Sequence, residues 1–435
     1  MLISQYTMPG RHIRDHLVDV PLDWFGDRDG PTIKLFAREV VDPTKKDEKL
    51  PLLVFLQGGP GGKSPRPTTT SPAWLGEALK THRVILPDQR GTGRSTPVDA
   101  DTMAGFADPQ AAGDYLAHFR ADSIVADFEH LRKTVFDGVR WQSLGQSYGG
   151  FLTMTYLSQA PEGLGACYVA GGLASITPSA DAVYRLTYPR VEAKNGRYYK
   201  RYPDDAATVA ALADFIDNNE VRLPDGDLLT VRRLQTVGID FGMAPGFENI
   251  HWLVDEAFAT PSRDRLSDHF LAEVMHATSY DGNPLFMVLQ ESIYGAGSGA
   301  TAWAAQRVRD TLPQFATTAR PLLFTGEMMF PWMLDDIRSL RPFRAGAEAL
   351  AQRAEFSPLY DLPRLAANDI PVAAIIYHDD MYVDAGLSLE TAGKVGNLSH
   401  WITNEFEHDG IRQSANVFKR LISMVAENGG PRASS

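Results

Sequence analysis

At residues 144–151 the chain reads LGQSYGGF, with Ser147 between Gly145 and Gly149. A serine hydroxyl attacks a carbonyl only if a base takes its proton, and that base needs an acid to hold it. Both partners follow later in the chain. The segment VAAIIYHDDMYVD offers Asp379, Asp380 and Asp384, and NEFEHDGIR offers His408. The order serine, acid, histidine is that of a strand–turn–helix nucleophile with its triad. Asp380 is taken as the acid, because the loop begins near His378 and the acid stands a few residues into it. Asp379 is the alternative. His408 is taken as the base, and His400 and His378 read as structural. The chemistry is acyl transfer through Ser147.

The charge that develops on the carbonyl oxygen needs two N–H donors. Tyr148, next after the serine, supplies one. The glycine-rich stretch QGGPGG supplies the other, from Gly59 or, alternatively, Gly58. A phosphate cradle is the rival reading of that stretch, but no Lys-Ser pair follows at the required spacing. His12 and His16 stand four apart, as a zinc pair on a helix would. Their surroundings read as a strand, and no third ligand is evident. The sequence calls for no metal and no cofactor.

These groups must be held by regular elements. PLLVFLQGGPGG and HRVILPDQRGTGRS are apolar runs stopped by glycines, the pattern of buried strands. Residues 12–41 predict neighbouring strands joined by a turn at GDRDG. DSIVADFEHLRKTVF predicts a helix, with Asp122 placed to cap it. VRWQSLGQS predicts a strand, YGGFLTMTYLSQA a helix and LGACYVAGGL a strand. Strands alternating with helices imply a mostly parallel central sheet covered on both faces, an α/β fold. From Ala180 to about Arg344 the alternation stops, and the chain reads as helical and aromatic. DAATVAALADFIDNNE is its clearest helix, and GRYYKRYP reads as a solvated basic helix edge. The strand pattern returns at IPVAAIIYHDD, a strand is expected over 400–406, and SANVFKRLISMVAE closes the chain as a helix. The expected organisation is a core in two parts, 1–177 and 346–435, with an inserted helical cap over 178–345. The tail NGGPRASS reads as frayed.

Composition narrows the partners. With 44% hydrophobic and 22% charged residues the chain suits a soluble globular protein. A net charge of −12 argues against nucleic acid, which needs clustered Lys and Arg, and is compatible with a cationic substrate. No apolar run approaches the length of a membrane span, and the first residues lack a secretory pattern. Cys167 is the only cysteine, so no intramolecular disulfide forms, and a reducing, cytoplasmic location is expected. The oligomeric state cannot be read.

QGGPGG, DQRGTGRS, GQSYGG, YHDDMYV and FEHDG occur in the order and spacing of the prolyl aminopeptidases, or proline iminopeptidases, and the chain resembles the longer members over nearly its whole length. The resemblance implies the α/β-hydrolase fold and a serine exopeptidase acting on small peptides with a free N-terminus. One departure is Gln57, where shorter members have histidine. It blurs the line with tripeptidyl aminopeptidases and related hydrolases. An exopeptidase must hold an ammonium, and the family places glutamates for this in the cap. Glu291 in LFMVLQESIYG, Glu327 in LLFTGEMMFPWM and Glu256 in HWLVDEAF are the candidates. A carboxylate in an apolar run is costly to bury unless paired or used. An esterase on the same fold and a non-catalytic binding protein are the rival readings. The cap carboxylates favour an amine substrate over a neutral ester.

Overall fold

The computed structural model describes residues 1–177, 179–295 and 299–433. Pro178, the expected first residue of the cap, lies outside them, as do Ser434 and Ser435 of the tail. Among the described residues nine strands form one sheet, in the order β1-β2-β3-β5-β4-β6-β7-β8-β9. They are Leu2–Met8, Arg11–Pro21, Thr32–Val41, Leu52–Leu56, Arg83–Pro87, Trp141–Gln146, Leu164–Ala170, Val372–Tyr377 and Leu398–Thr403, numbered β1 to β9. β1, β2, β3 and β5 pair antiparallel in turn. From β5 to β9 every pairing is parallel. β4, β6, β7 and β8 are buried along their whole length, which is why β4, β7 and β8 read as unbroken apolar runs rather than as alternations; β6 is buried too but carries Gln142, Ser143 and Gln146.

Both faces of the sheet are covered. One core contains Trp74, Phe418 and Leu421, from the helices Ala73–Ala78 and Ala415–Glu427, against Phe55 and Tyr168. A larger core on the other face takes in the helices Ala121–Val135 and Tyr148–Gln159 and runs on into the helical segment. Between β7 and β8 the described residues make no strand of the sheet. Its longest element is the helix Ala180–Arg201.

Three local expectations change. β1 was not legible, because six of its seven residues are exposed and no burial pattern marks it. Asp122 does not cap its helix. Its carboxylate accepts from Ser123 N and from the Ser357 hydroxyl, and Arg120 takes the N-cap position without a side-chain bond. The tail is docked as far as Arg432, whose N–H donates to the Gly165 carbonyl at 2.9 Å.

Register aligns the sheet's functional rim. Leu56 pairs with Gly145, Gln146 with Ala170, Ala170 with Ile375, and Tyr377 with Thr403. The loops after β4, β6, β8 and β9 therefore leave from one edge, where ligands of open α/β sheets gather. The loop after β5 is braced from below. Arg90, fully buried, makes two bonds to Asp127, at 2.8 and 2.6 Å, and donates to the carbonyls of Pro21, Leu22 and His118. Every donor is satisfied, as a buried guanidinium requires.

Candidate active site

Ser147 stands at the junction of β6 and the helix Tyr148–Gln159 with φ 55° and ψ −124°. Positive φ is uncommon outside glycine and needs support from its surroundings. Here it is over-determined by close backbone contacts. A Cβ on Gly149 would fall 1.9 Å from the Leu56 carbonyl oxygen, and one on Gly150 would fall 2.1 Å from that of Gly172. The Ser147 N–H donates to the Ala170 carbonyl at 2.9 Å. The two glycines thus let the helix approach β4 and the end of β7 closely enough to lift the serine off the sheet.

His408 follows β9, and its Nδ1 lies 2.6 Å from Asp380 Oδ2. Asp380 Oδ1 accepts from the N–H groups of Tyr382 and Val383 at 2.8 and 3.1 Å. One carboxylate oxygen is thus fixed by its own loop and the other is left for the imidazole. His408 N–H donates to the Gly242 carbonyl, and the ring packs edge-on against Tyr382 at 4.8 Å. Burial alone would lower the histidine's pKa. Asp380, seconded by Glu327, outweighs it, and the pKa stands above its ordinary value. Nε2 is buried and has no hydrogen-bond partner among the described residues. A Cβ on Gly171 would reach 3.3 Å from His408 Nδ1, and one on Gly172 would meet the Ser147 carbonyl oxygen at 2.1 Å. The end of β7 therefore packs under both the histidine and the serine.

The loop after β4 crosses beside the serine. A Cβ on Gly58 would meet Ser147 Cβ at 3.1 Å and Oγ at 3.7 Å. Gly59 follows with φ 129°, a conformation that favours glycine. Tyr148 is the first residue of its helix, where backbone N–H groups have no partner within the helix. The Gly58–Gly59 peptide and the Tyr148 N–H thus border the serine.

Glu327 lies in an irregular stretch. Asn195 pins Phe324 there by both backbone groups, at 3.0 and 2.8 Å, and Gln235 accepts from Thr325 N through its carbonyl. Glu327 makes no ion pair among the described residues. Burial pushes its pKa up to about 7, with His408 opposing the rise and Asp380 reinforcing it. The adjacent Gln290 is fully buried, and neither of its amide atoms has a partner within normal hydrogen-bond distance. Tyr184, whose hydroxyl is also unpartnered, feels the charge of Glu291 and, less, that of Glu327, and Tyr382 feels that of Glu327. A lone carboxylate beside the histidine, among tyrosines, is suited to a cation.

The model of the α/β hydrolase fold matches residues 51–221. A proline iminopeptidase of Aeromonas sobria is 43% identical over 421 residues, spanning 96% of this chain and 98% of the relative. The chain belongs to the proline iminopeptidases. A proline iminopeptidase of Aspergillus aculeatus is 32% identical over 94% of this chain and 92% of its own length. The solved proline iminopeptidase of Mycobacterium smegmatis is a distant likeness, at 14% identity, TM-score 0.42, and coverage of 95% and 98% of the two chains.

In this iminopeptidase the structure brings Ser147, Tyr148, Gly58, Gly59, Asp380, His408 and Glu327 to one rim. It turns two of the predicted glutamates elsewhere. Glu291 is buried, but its two oxygens accept from Ala304 N at 2.9 Å and Ala305 N at 2.8 Å. It caps the short helix Ala304–Arg309, whose preceding Trp303 has no side-chain cap to offer. Burial raises its pKa to about 7 against those two bonds. Glu256 is exposed at the end of the helix Gly246–Asp255 and faces His269 at 3.1 Å, so solvent meets its charge. Asp379, the alternative acid, points away from the histidine. It accepts from Arg197 at 2.9 Å and contacts His378, and Arg197 draws its pKa down to about 2. His12 contacts the Thr7 hydroxyl and His16 the Glu39 carboxylate, each at 2.9 Å.

Two features escaped the sequence reading. Gln290 carries the same signal as its neighbour Glu291, a polar residue in an apolar run, but without the charge that marks Glu291. Lys194 gave no signal, and Arg197 read only as part of a basic helix edge, because their acidic partners lie far along the chain.

Proposed function

We propose that this chain is a serine exopeptidase that releases an N-terminal residue, preferentially proline, from small peptides. Ser147 Oγ attacks the first carbonyl while His408 Nε2 takes its proton. Asp380 holds the Nδ1–H and stabilises the imidazolium that forms. The N–H groups of Tyr148 and Gly59 receive the oxyanion. His408 then gives its proton to the leaving amine. Water, activated by the same imidazole, releases the residue from the Ser147 ester.

Glu327 binds the substrate's charged amine in this reading. The observation that carries it is an unpaired, half-buried carboxylate electrostatically coupled to His408. A peptide's ammonium supplies the missing counter-charge, and in a dry site such a bond is strong. The first carbonyl of a peptide is only two bonds from its amine, so a fixed ammonium places that carbonyl and no later one at Ser147. The single buried Cys167 suits action in a reducing compartment, which we take to be the cytoplasm. No helix among the described residues is long and apolar enough to cross a membrane.

The test is a panel of prolyl, alanyl and leucyl naphthylamides, each with a free and an acetylated amine. The expected order is prolyl first, with acetylated substrates inert. Equal rates on prolyl and acetylprolyl substrates would remove the exopeptidase reading.

A further inference from the structure

The long helix Ala180–Arg201 carries Arg190, Lys194 and Arg197 along one stripe, spaced four and three apart. Each meets a different carboxylate beside the triad. Arg190 Nε pairs with Asp384, and its Nη1 donates to the His378 carbonyl at 2.9 Å. Lys194 Nζ pairs with Glu407. Arg197 makes two bonds of 2.9 Å to Asp379. Asp379 and Asp384 flank Asp380, and Glu407 immediately precedes His408. The three pairs therefore reach both loops that carry the acid and the base. Lys194 is only 2% exposed. A cation is not buried without a reason, and its sole carboxylate partner here is Glu407. The next rows of the same helix, Val191 and Asn195, pack on Gly326 and bond Phe324, the stretch that carries Glu327.

We propose that this helix sets the register of the acid and histidine loops, with Arg190, Lys194 and Arg197 as positioning residues for the Asp380–His408 pair. None of the three touches the reacting atoms in the proposed mechanism. They act through Asp384, Glu407 and Asp379. The loops leave neighbouring parallel strands, and after Tyr377 and Thr403 no strand pairing joins them. The His378 N–H bond to the Thr403 carbonyl and the Asp380–His408 bond join the two loops to each other. The ion pairs add a tie from both to a third element, so the alignment of the pair depends on the long helix being docked. A displacement of about 1 Å at such a pair costs on the order of 100-fold in rate.

The inference rests on the serine mechanism proposed above, so the experiment first checks that mechanism separately. Mass spectrometry of wild-type protein treated with a fluorophosphonate should place the label on Ser147. A label elsewhere, or none, removes the serine mechanism and the inference with it. Three further measurements bear on the inference itself. Lys194→Met should lower kcat about 10- to 100-fold on prolyl naphthylamide and on nitrophenyl acetate alike, with KM within about twofold. Arg197→Glu, at the exposed end of the stripe, should lower kcat about fivefold, and Arg197→Glu with Asp379→Arg should recover most of it. The downfield proton resonance of the His408 Nδ1–H should broaden in Lys194→Met and Arg197→Glu and return in the charge-swapped protein. Unchanged kcat with an unchanged resonance overturns the inference. So does a loss confined to prolyl substrate and KM, which would place the helix in substrate binding. A loss that the swap fails to recover, with a lowered thermal midpoint, would make the pairs ordinary supports of the fold and overturns it too.

Discussion

Asp379 and Asp380 are consecutive, yet their carboxylates serve opposite sides of one loop. Asp380 Oδ2 lies 2.6 Å from His408 Nδ1, while Asp379 Oδ2 lies 2.9 Å from two nitrogens of Arg197 on the long helix. The Asp380 carboxylate is almost sealed from solvent, at 1% exposure, against 26% for Asp379. Asp380→Asn should keep the fold but present the wrong imidazole tautomer, lowering kcat by about 10⁴. Asp379→Asn should lower it by less than about tenfold. Steady-state kinetics on the two variants separates the roles, and the reverse ranking would assign the acid to Asp379.

Ser147→Ala should abolish turnover by roughly six powers of ten, as removal of a triad nucleophile does. Pre-incubation with EDTA should leave the wild-type rate unchanged. A rate that EDTA abolishes and zinc restores would refute the serine mechanism.

Glu327, half-buried, and Glu291, buried, should respond differently to the same change. Glu327→Gln removes the charge and keeps the shape, so kcat/KM on prolyl substrates should fall about 30- to 1000-fold. Nitrophenyl acetate should still be turned over. Glu291→Gln replaces an acceptor of two backbone N–H groups by a side chain with one acceptor oxygen. It should lower stability by about 1–2 kcal/mol and leave KM for prolyl substrates unchanged. Chemical denaturation and kinetics on both variants decide it. A KM defect in Glu291→Gln at unchanged stability would return that residue to the amine site.

The pH profile should carry the signature of two groups. Glu327, raised to about 7, must be ionised to hold an ammonium, and that hold is lost as pH falls through about 7. His408, raised above its ordinary value, must be neutral to accept a proton, and that too is lost on the acid side. The acid limb of kcat/KM should therefore fall with the second power of proton concentration for prolyl substrates and the first power for the acetyl ester. Since Glu327 helps hold His408 up, Glu327→Gln should move the ester's acid limb to lower pH. A shift to higher pH would show that the two groups do not interact as their charges require.

Ser147 and His408 were legible because the chemistry constrains them locally. The serine sits between glycines at a strand–helix junction, and the histidine lies between the last strand and the last helix. Glu291 caps a helix, which its setting in the sequence does not show. Its partners, the N–H groups of Ala304 and Ala305, are backbone atoms 13 and 14 residues on, and a carboxylate that caps a helix looks the same in sequence as one that binds a substrate. The basic edge GRYYKRYP reads as solvated, and Arg197, Lys200 and Arg201 are exposed there; the ion pair that Arg197 makes was not legible, because its partner lies 182 residues away. Its neighbour Tyr198 is fully buried and bonds Asp205. Helical periodicity shows which face is apolar. It does not show which charges on the other face find a distant partner.

β7 and β8 lie side by side in the sheet, yet about two hundred residues of helical chain separate them, from Ala170 to Val372. On a ribosome adding about 5–20 residues per second, β7 waits on the order of 10–40 s for its neighbour. Throughout that interval a wholly apolar strand has one row of backbone donors and acceptors open to any other nascent chain. Asp380 and His408 emerge well after Ser147, so a partly made chain holds the serine without the acid and base of the proposed triad. A chain that stops short of Val372 keeps that edge of β7 uncovered for good, which exposes it to edge-to-edge aggregation.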